Sequence, residues 1–68
     1  MISYRPLWET MKRNNATTYT LREKGGISGS TVRRMQRGES VSTNTIDELC
    51  RLLGCEVGDI IEHVSDVE

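Results

Sequence analysis

The stretch from Thr17 to Gly38, TTYTLREKGGISGSTVRRMQRG, restricts the possible folds more than any other part of this chain. Two short segments of helical character flank a Gly25-Gly26 pair, a link with room only for a tight turn, so two short helices must pack as neighbours. Ser28 is well suited to cap the second helix, because its hydroxyl can accept an orphan N–H of the first turn. Ile27 before it and Val32 four residues after it have the spacing of a hydrophobic staple. Gly38 supplies a left-handed stop after Arg37.

At about 100° per residue, Val32 and Met35 mark the buried stripe of this second helix. Ser30, Arg33, Arg34 and Arg37 lie on the opposite side. No acid falls between Ser28 and Arg37 to neutralise these arginines. A merely soluble helix surface usually mixes both signs.

The formal net charge of −1 conceals a division along the chain. Residues 1–37 hold eight Lys and Arg against Glu9 and Glu23, a net of +6, whereas residues 38–68 hold Arg51 against eight acids, a net of −7. Such a split suits a cationic half that meets phosphate and an acidic half that faces away from it. Attraction between the two halves is the alternative. Lys12 and Arg13 fit either long-range attraction or solvated surface.

Sixty-eight residues suggest one small domain, with a core over about 6–64 and little volume for a deep catalytic cavity. No apolar run is long enough to span a bilayer and no secretion leader is visible, so the cytoplasm is the expected compartment and no membrane is expected as partner. Cys50 and Cys55 have His63 as the sole histidine beside them, so no tetrahedral zinc set assembles and no metal or other cofactor is expected. Cys50 reads as a small core residue. With no nucleophile–base pair, an enzyme is not expected.

In chain order, Met1 to Arg5 is a short lead-in that can be extended. Pro6 fits the first turn of a helix that ends near Asn14-Asn15, with Leu7, Trp8 and Met11 as its apolar stripe and Trp8 as a core plate. The next helix runs from about Thr18 to Lys24, with Thr17 as cap and Ala16 and Leu21 as staple. Its threonine-rich start leaves N–H groups and hydroxyls at a positive helix end, where a phosphate can sit. After Gly38, Ser42 caps a fourth helix, carrying Ile46, Leu49, Cys50 and Leu53 on one face and stopping at Gly54. Cys55 and Ile60 flank Glu56 in the same spacing, which predicts a fifth helix through Val64 and a frayed tail from Ser65 to Glu68. The expected architecture is all-α, a compact five-helix bundle around the central helix pair.

The Thr17–Gly38 stretch resembles the helix-turn-helix of the phage-repressor and Cro-like family, whose pattern is T-Q-x-x-L-A-x-x-x-G-I-S-x-x-T-[IV]-x-x-x-E-x-G. Thr17, Leu21, Gly26, Ile27, Ser28, Thr31, Val32 and Gly38 match in register. The likeness extends from about Leu7 to Val64, and the opening SYRPLW is similar to a subgroup of small single-domain bacterial regulators. The resemblance implies a lambda-repressor-like DNA-binding domain, a transcriptional repressor of bacterial or phage origin associated with the nucleoid. Its partner would be double-stranded DNA and its assembly a homodimer, with no small-molecule ligand.

By the same resemblance, helix 28–37 docks in the major groove. Gly29, Ser30 and Arg34 then fall where the family reads bases, with Arg33 alongside. Thr17, Thr18, Ser28, Arg37 and Asn44 fall at phosphate-facing positions. Three departures stand out: Gly29 has no side chain, Thr18 reaches less far than the usual Gln, and Arg22 replaces a small residue, so it must snorkel outward or widen the packing. A different class of function is a protein-interaction module, an antitoxin-like adaptor using the acidic C-terminal half to bind a basic partner.

Overall fold

The computed structural model describes residues 1–65. Four helices follow one another: α1 at Arg5–Arg13, α2 at Thr18–Glu23, α3 at Gly29–Gln36 and α4 at Thr43–Leu53. A single 3₁₀ turn at Val57–Asp59 comes next, and two two-residue strands, β1 at Ile2–Ser3 and β2 at Glu62–His63, pair antiparallel with Ile2 opposite His63.

Local signals set the helix ends. The Thr17 hydroxyl accepts the Thr20 N–H while the Thr20 hydroxyl accepts the Thr17 N–H, a reciprocal cap for a helix of only six residues. Ser28 and Ser42 accept the N–H groups of Thr31 and Thr45 in the same way, each at 3.2 Å. At the far end of α4, Gly54 adopts φ 61°, and the Cys55 N–H returns to the Cys50 carbonyl at 3.0 Å, closing a Schellman stop.

The staple residues line the interior. Leu21, Ile27, Val32, Ile46 and Ile60 are buried together with Leu7, Met11, Met35 and Leu49, while Ala16, Val41 and Cys55 pack against them half-buried. Trp8 and Cys50 border this core half-buried. The turn between α2 and α3 is seated by close approach: a Cβ on Gly25 would lie 2.7 Å from the Leu21 carbonyl oxygen and 2.8 Å from Leu52 of α4. Gly26 supplies the left-handed step, with φ 68°.

The C-terminal segment differs from the expected fifth helix. Glu56 and Asp59 begin a turn as that spacing suggests, the Asp59 carboxylate accepting the Glu56 N–H at 3.1 Å, but the turn ends after Asp59. Gly58 costs helix stability, and the β-branched residues Ile60, Ile61 and Val64 favour extended backbone. A helix that short also needs tertiary packing to persist. Strand pairing with the lead-in satisfies the backbone instead. The fold is therefore mostly helical, with four helices and a small two-stranded sheet. Of the tail expected to fray, residues 66–68 lie outside the described residues.

The lead-in also contributes an unexpected core residue. Tyr4 is 5% exposed, and its hydroxyl donates to the Glu39 carbonyl at 2.6 Å, tying the start of the chain to the loop between α3 and α4. Burial raises its phenol above the ordinary range, with a backbone hydrogen bond from Val41 opposing the shift. Thr10, 2% exposed, donates to the Asp59 carbonyl at 2.8 Å and so joins α1 to the 3₁₀ turn.

Candidate nucleic-acid interface

The core fixes how α3 is turned. With Val32 and Met35 buried beneath it, the helix exposes Ser30, Arg33, Arg34 and Arg37, as its periodicity predicts. Among the described residues, the acids of the C-terminal half do not cover this surface. Of these, Arg37 approaches only Glu39, two residues along, at 3.9 Å, and both side chains remain exposed.

Ion pairing separates the cations of residues 1–37 into two sets. Arg5 meets Glu62 at 3.1 Å and Arg13 reaches Asp59 at 4.0 Å, so part of the positive charge does bind the acidic half. Lys12, Arg22, Lys24, Arg33 and Arg34 make no ion pair among the described residues. Four of these five belong to α2, its C-terminal cap and α3. The uncompensated charge is therefore concentrated on the helix pair, where its field acts most directly on a nearby polyanion.

At the start of α3, the Ser28 hydroxyl donates to the Thr31 hydroxyl at 2.9 Å and lies 3.2 Å from that of Ser30. Ser28, Ser30 and Thr31 thus form one hydroxyl cluster, with Ser28 and Ser30 exposed. Thr17 is exposed and engaged in its reciprocal cap, whereas Thr18 is half-buried.

Thr18, Arg22, Gly29, Val32, Arg33 and Gln36 line a cleft of about 200 Å³ between α2 and α3. Thr18, Gly29 and Arg33 are therefore brought to one place. Ser30 and Arg34 do not line that cleft, and Asn44 is exposed on the first turn of α4 with no side-chain hydrogen bond among the described residues. Arg22 joins the cleft unannounced by any periodicity. Its only signal in the sequence is a long cation at a position where the motif usually carries a small residue.

The rest of the surface has a different character. A groove of about 620 Å³ runs beside α4 and the 3₁₀ turn, with apolar walls from Ile46, Cys50, Val57 and Ile61 and the acids Asp47 and Glu56 on its lining. Cys50 and Cys55 are both free thiols. Burial chiefly, and then the neighbouring Cys50, push the Cys55 thiol up. Among the described residues, no three His, Cys, Asp or Glu side chains gather to hold a metal ion, and no helix is long and apolar enough to cross a membrane.

Two capped helices joined at a glycine turn, the second exposing a cationic face, are the build of a helix-turn-helix module. Residues 6–66 match the family model of the Cro/C1-type helix-turn-helix DNA-binding domain, and the chain belongs to that family. It is also similar to the crystal structure of the transcriptional regulator VanUg, at 34% identity and a TM-score of 0.88, over 96% of this chain and 87% of that one. No curated protein sequence matches it.

Proposed function

We propose that this protein is a sequence-specific regulator of transcription, a repressor, that inserts α3 into the major groove of double-stranded DNA. The observation that carries this reading is the outward face of α3, where Arg33 and Arg34 have no acidic partner among the described residues and Arg37 has only a long contact to Glu39. Arg34 can donate two hydrogen bonds to guanine O6 and N7, worth about 1–3 kcal/mol of discrimination. Ser30 reads an adjacent base edge, Gly29 lets the backbone approach closely, and Arg33 takes a flanking contact.

Thr17, Thr18, Ser28, Arg37 and Asn44 face the phosphates, with free N–H groups at the helix starts adding to the hydroxyls. The protein acts as a homodimer on two half-sites about 34–36 Å apart, one turn of the duplex. The reading of a DNA-binding regulator is supported by the family match and by the likeness to a transcriptional regulator.

Selection of bound sites from a random duplex pool tests the reading. A paired motif with one-turn spacing is the expected result, and Arg34→Ala should relax one base position in each half while Arg37→Ala weakens all sites alike. Failure to enrich any sequence would refute specific recognition.

A second reading rests on the α4 groove, whose apolar walls and acidic edge suit a basic segment of a partner protein. This adaptor role would require that such a segment binds the protein with DNA absent.

A further inference from the structure

Gly29, Arg22 and Arg33 make a local arrangement that neither the motif nor the fold requires. A Cβ placed on Gly29 would sit 3.5 Å from Arg33 Nη1, 3.9 Å from Arg22 Cδ and 4.0 Å from Arg22 Nη1. Two guanidinium nitrogens from different helices therefore lie within 4.0 Å of one point above the α3 backbone. Like charges repel, and where a protein holds two together an acid normally lies between them. None does here: neither arginine makes an ion pair or side-chain hydrogen bond among the described residues.

The geometry points to a phosphodiester clamp, in which Arg22 from α2 and Arg33 from α3 grip one DNA phosphate between them over Gly29. Guanidinium groups suit this task because each presents a planar fork of donors to phosphate oxygens. The α2–α3 cleft adds the Thr18 side chain to its lining, a hydroxyl of the kind that contacts phosphate oxygens. Gly29 acquires a purpose in this arrangement, since a long side chain there would occupy the space both guanidinium groups share. The flanking contact of Arg33 is thereby assigned to a phosphate and not to a base, and base reading is left to Ser30 and Arg34. This assignment rests on the DNA-binding reading above and adds Arg22 to it.

The test measures affinity for the selected duplex over a range of salt concentrations, with wild type, Arg22→Ala, Arg33→Ala, the double variant and Arg22→Lys. Thermal melts establish that each variant is folded. Each alanine should weaken binding about tenfold, as loss of a charge-assisted hydrogen bond does. Removing both should flatten the slope of log affinity against log salt by about 0.9. Base preferences should not change, and Arg22→Lys should retain the slope but recover only part of the affinity. Unchanged affinity and slope in the double variant, with wild type still binding, would overturn the clamp alone. So would a changed base preference in Arg33→Ala. Absence of binding by wild type at low salt would instead overturn the DNA-binding reading on which the clamp depends.

Discussion

A glutamate in place of Gly29 should strengthen the fold and weaken DNA binding together. Gly29 is the first residue of α3, has no positive φ, and a Cβ there meets nothing nearer than 3.5 Å, so the added Cβ meets neither backbone strain nor a clash, and the carboxylate beyond it enters the space between the two flexible guanidinium groups. Replacing a glycine at the first helical position recovers part of the about 0.5–1 kcal/mol of backbone entropy that a helix interior would return. No acid occupies the first turn of α3, and one placed there interacts with the helix dipole for about 0.3–1 kcal/mol. Proximity to the Arg22 and Arg33 guanidinium groups adds a further favourable contact, small because all three side chains are solvated. A net gain of about 1 kcal/mol corresponds to a rise of about 4–8 °C in melting temperature for a domain of this size.

On DNA the same carboxylate takes the place of a phosphate. It neutralises the pair of arginines and repels the backbone, so the salt slope should fall by about 0.9 per phosphate lost, with affinity falling at least about tenfold. Differential scanning calorimetry and a salt series of fluorescence anisotropy titrations measure the two effects on the same preparation. Retention of wild-type affinity in a stabilised Gly29→Glu protein would rule out a phosphate at this point, because the anion would then occupy a place that DNA does not use.

Other consequences follow from the packing. Tyr4→Phe removes the hydrogen bond to the Glu39 carbonyl and should destabilise the fold by about 1 kcal/mol in urea unfolding at pH 7. Because folding raises the Tyr4 pKa, its neutral form is the stabilising one: the contribution is complete below pH 10 and lost as pH climbs through the higher folded-state value. Wild type should therefore lose stability above pH 10 more steeply than Tyr4→Phe. Gly25→Ala meets the Leu21 carbonyl oxygen at 2.7 Å and Leu52 at 2.8 Å, so it should cost about 1–3 kcal/mol in the same assay and loosen the angle between α2 and α3. Thr10→Val strands the Asp59 carbonyl that its hydroxyl serves, and a loss of about 1–3 kcal/mol is expected by thermal melting.

Much of this fold was legible because its signals are local. Thr17, Ser28 and Ser42 announce helix starts, Gly38 and Gly54 announce stops, and the apolar spacing from Ile27 to Leu53 places the core face of α3 and α4. What escaped the sequence depends on partners distant along the chain. Ile2 pairs with His63 across nearly the whole length, and neither strand is long enough to show alternation. The same pairing draws Tyr4 inward and extends the segment after Asp59, where Cys55 and Ile60 flanking Glu56 imitate another helix start.

Within the candidate site, the outward set of Ser30, Arg33, Arg34 and Arg37 was readable from helical periodicity. The meeting of Arg22 with Arg33 was not, because periodicity gives the face a residue lies on and not the direction a long flexible side chain takes. The Gly25-Gly26 pair was readable as a turn, but its two roles were not. Space at Gly25 is limited by Leu52 of a later helix, whereas the positive φ of Gly26 belongs to the turn itself.

On the DNA-binding reading, the outward face of α3 is the surface that meets the duplex. Titrating the selected duplex into ¹⁵N-labelled protein and following backbone amide shifts tests it residue by residue. The largest shifts should fall between Thr17 and Arg37, with a smaller response at the start of α4 near Asn44. Shifts confined to the groove along α4 and the 3₁₀ turn, with Ser30, Arg33 and Arg34 unmoved, would contradict it.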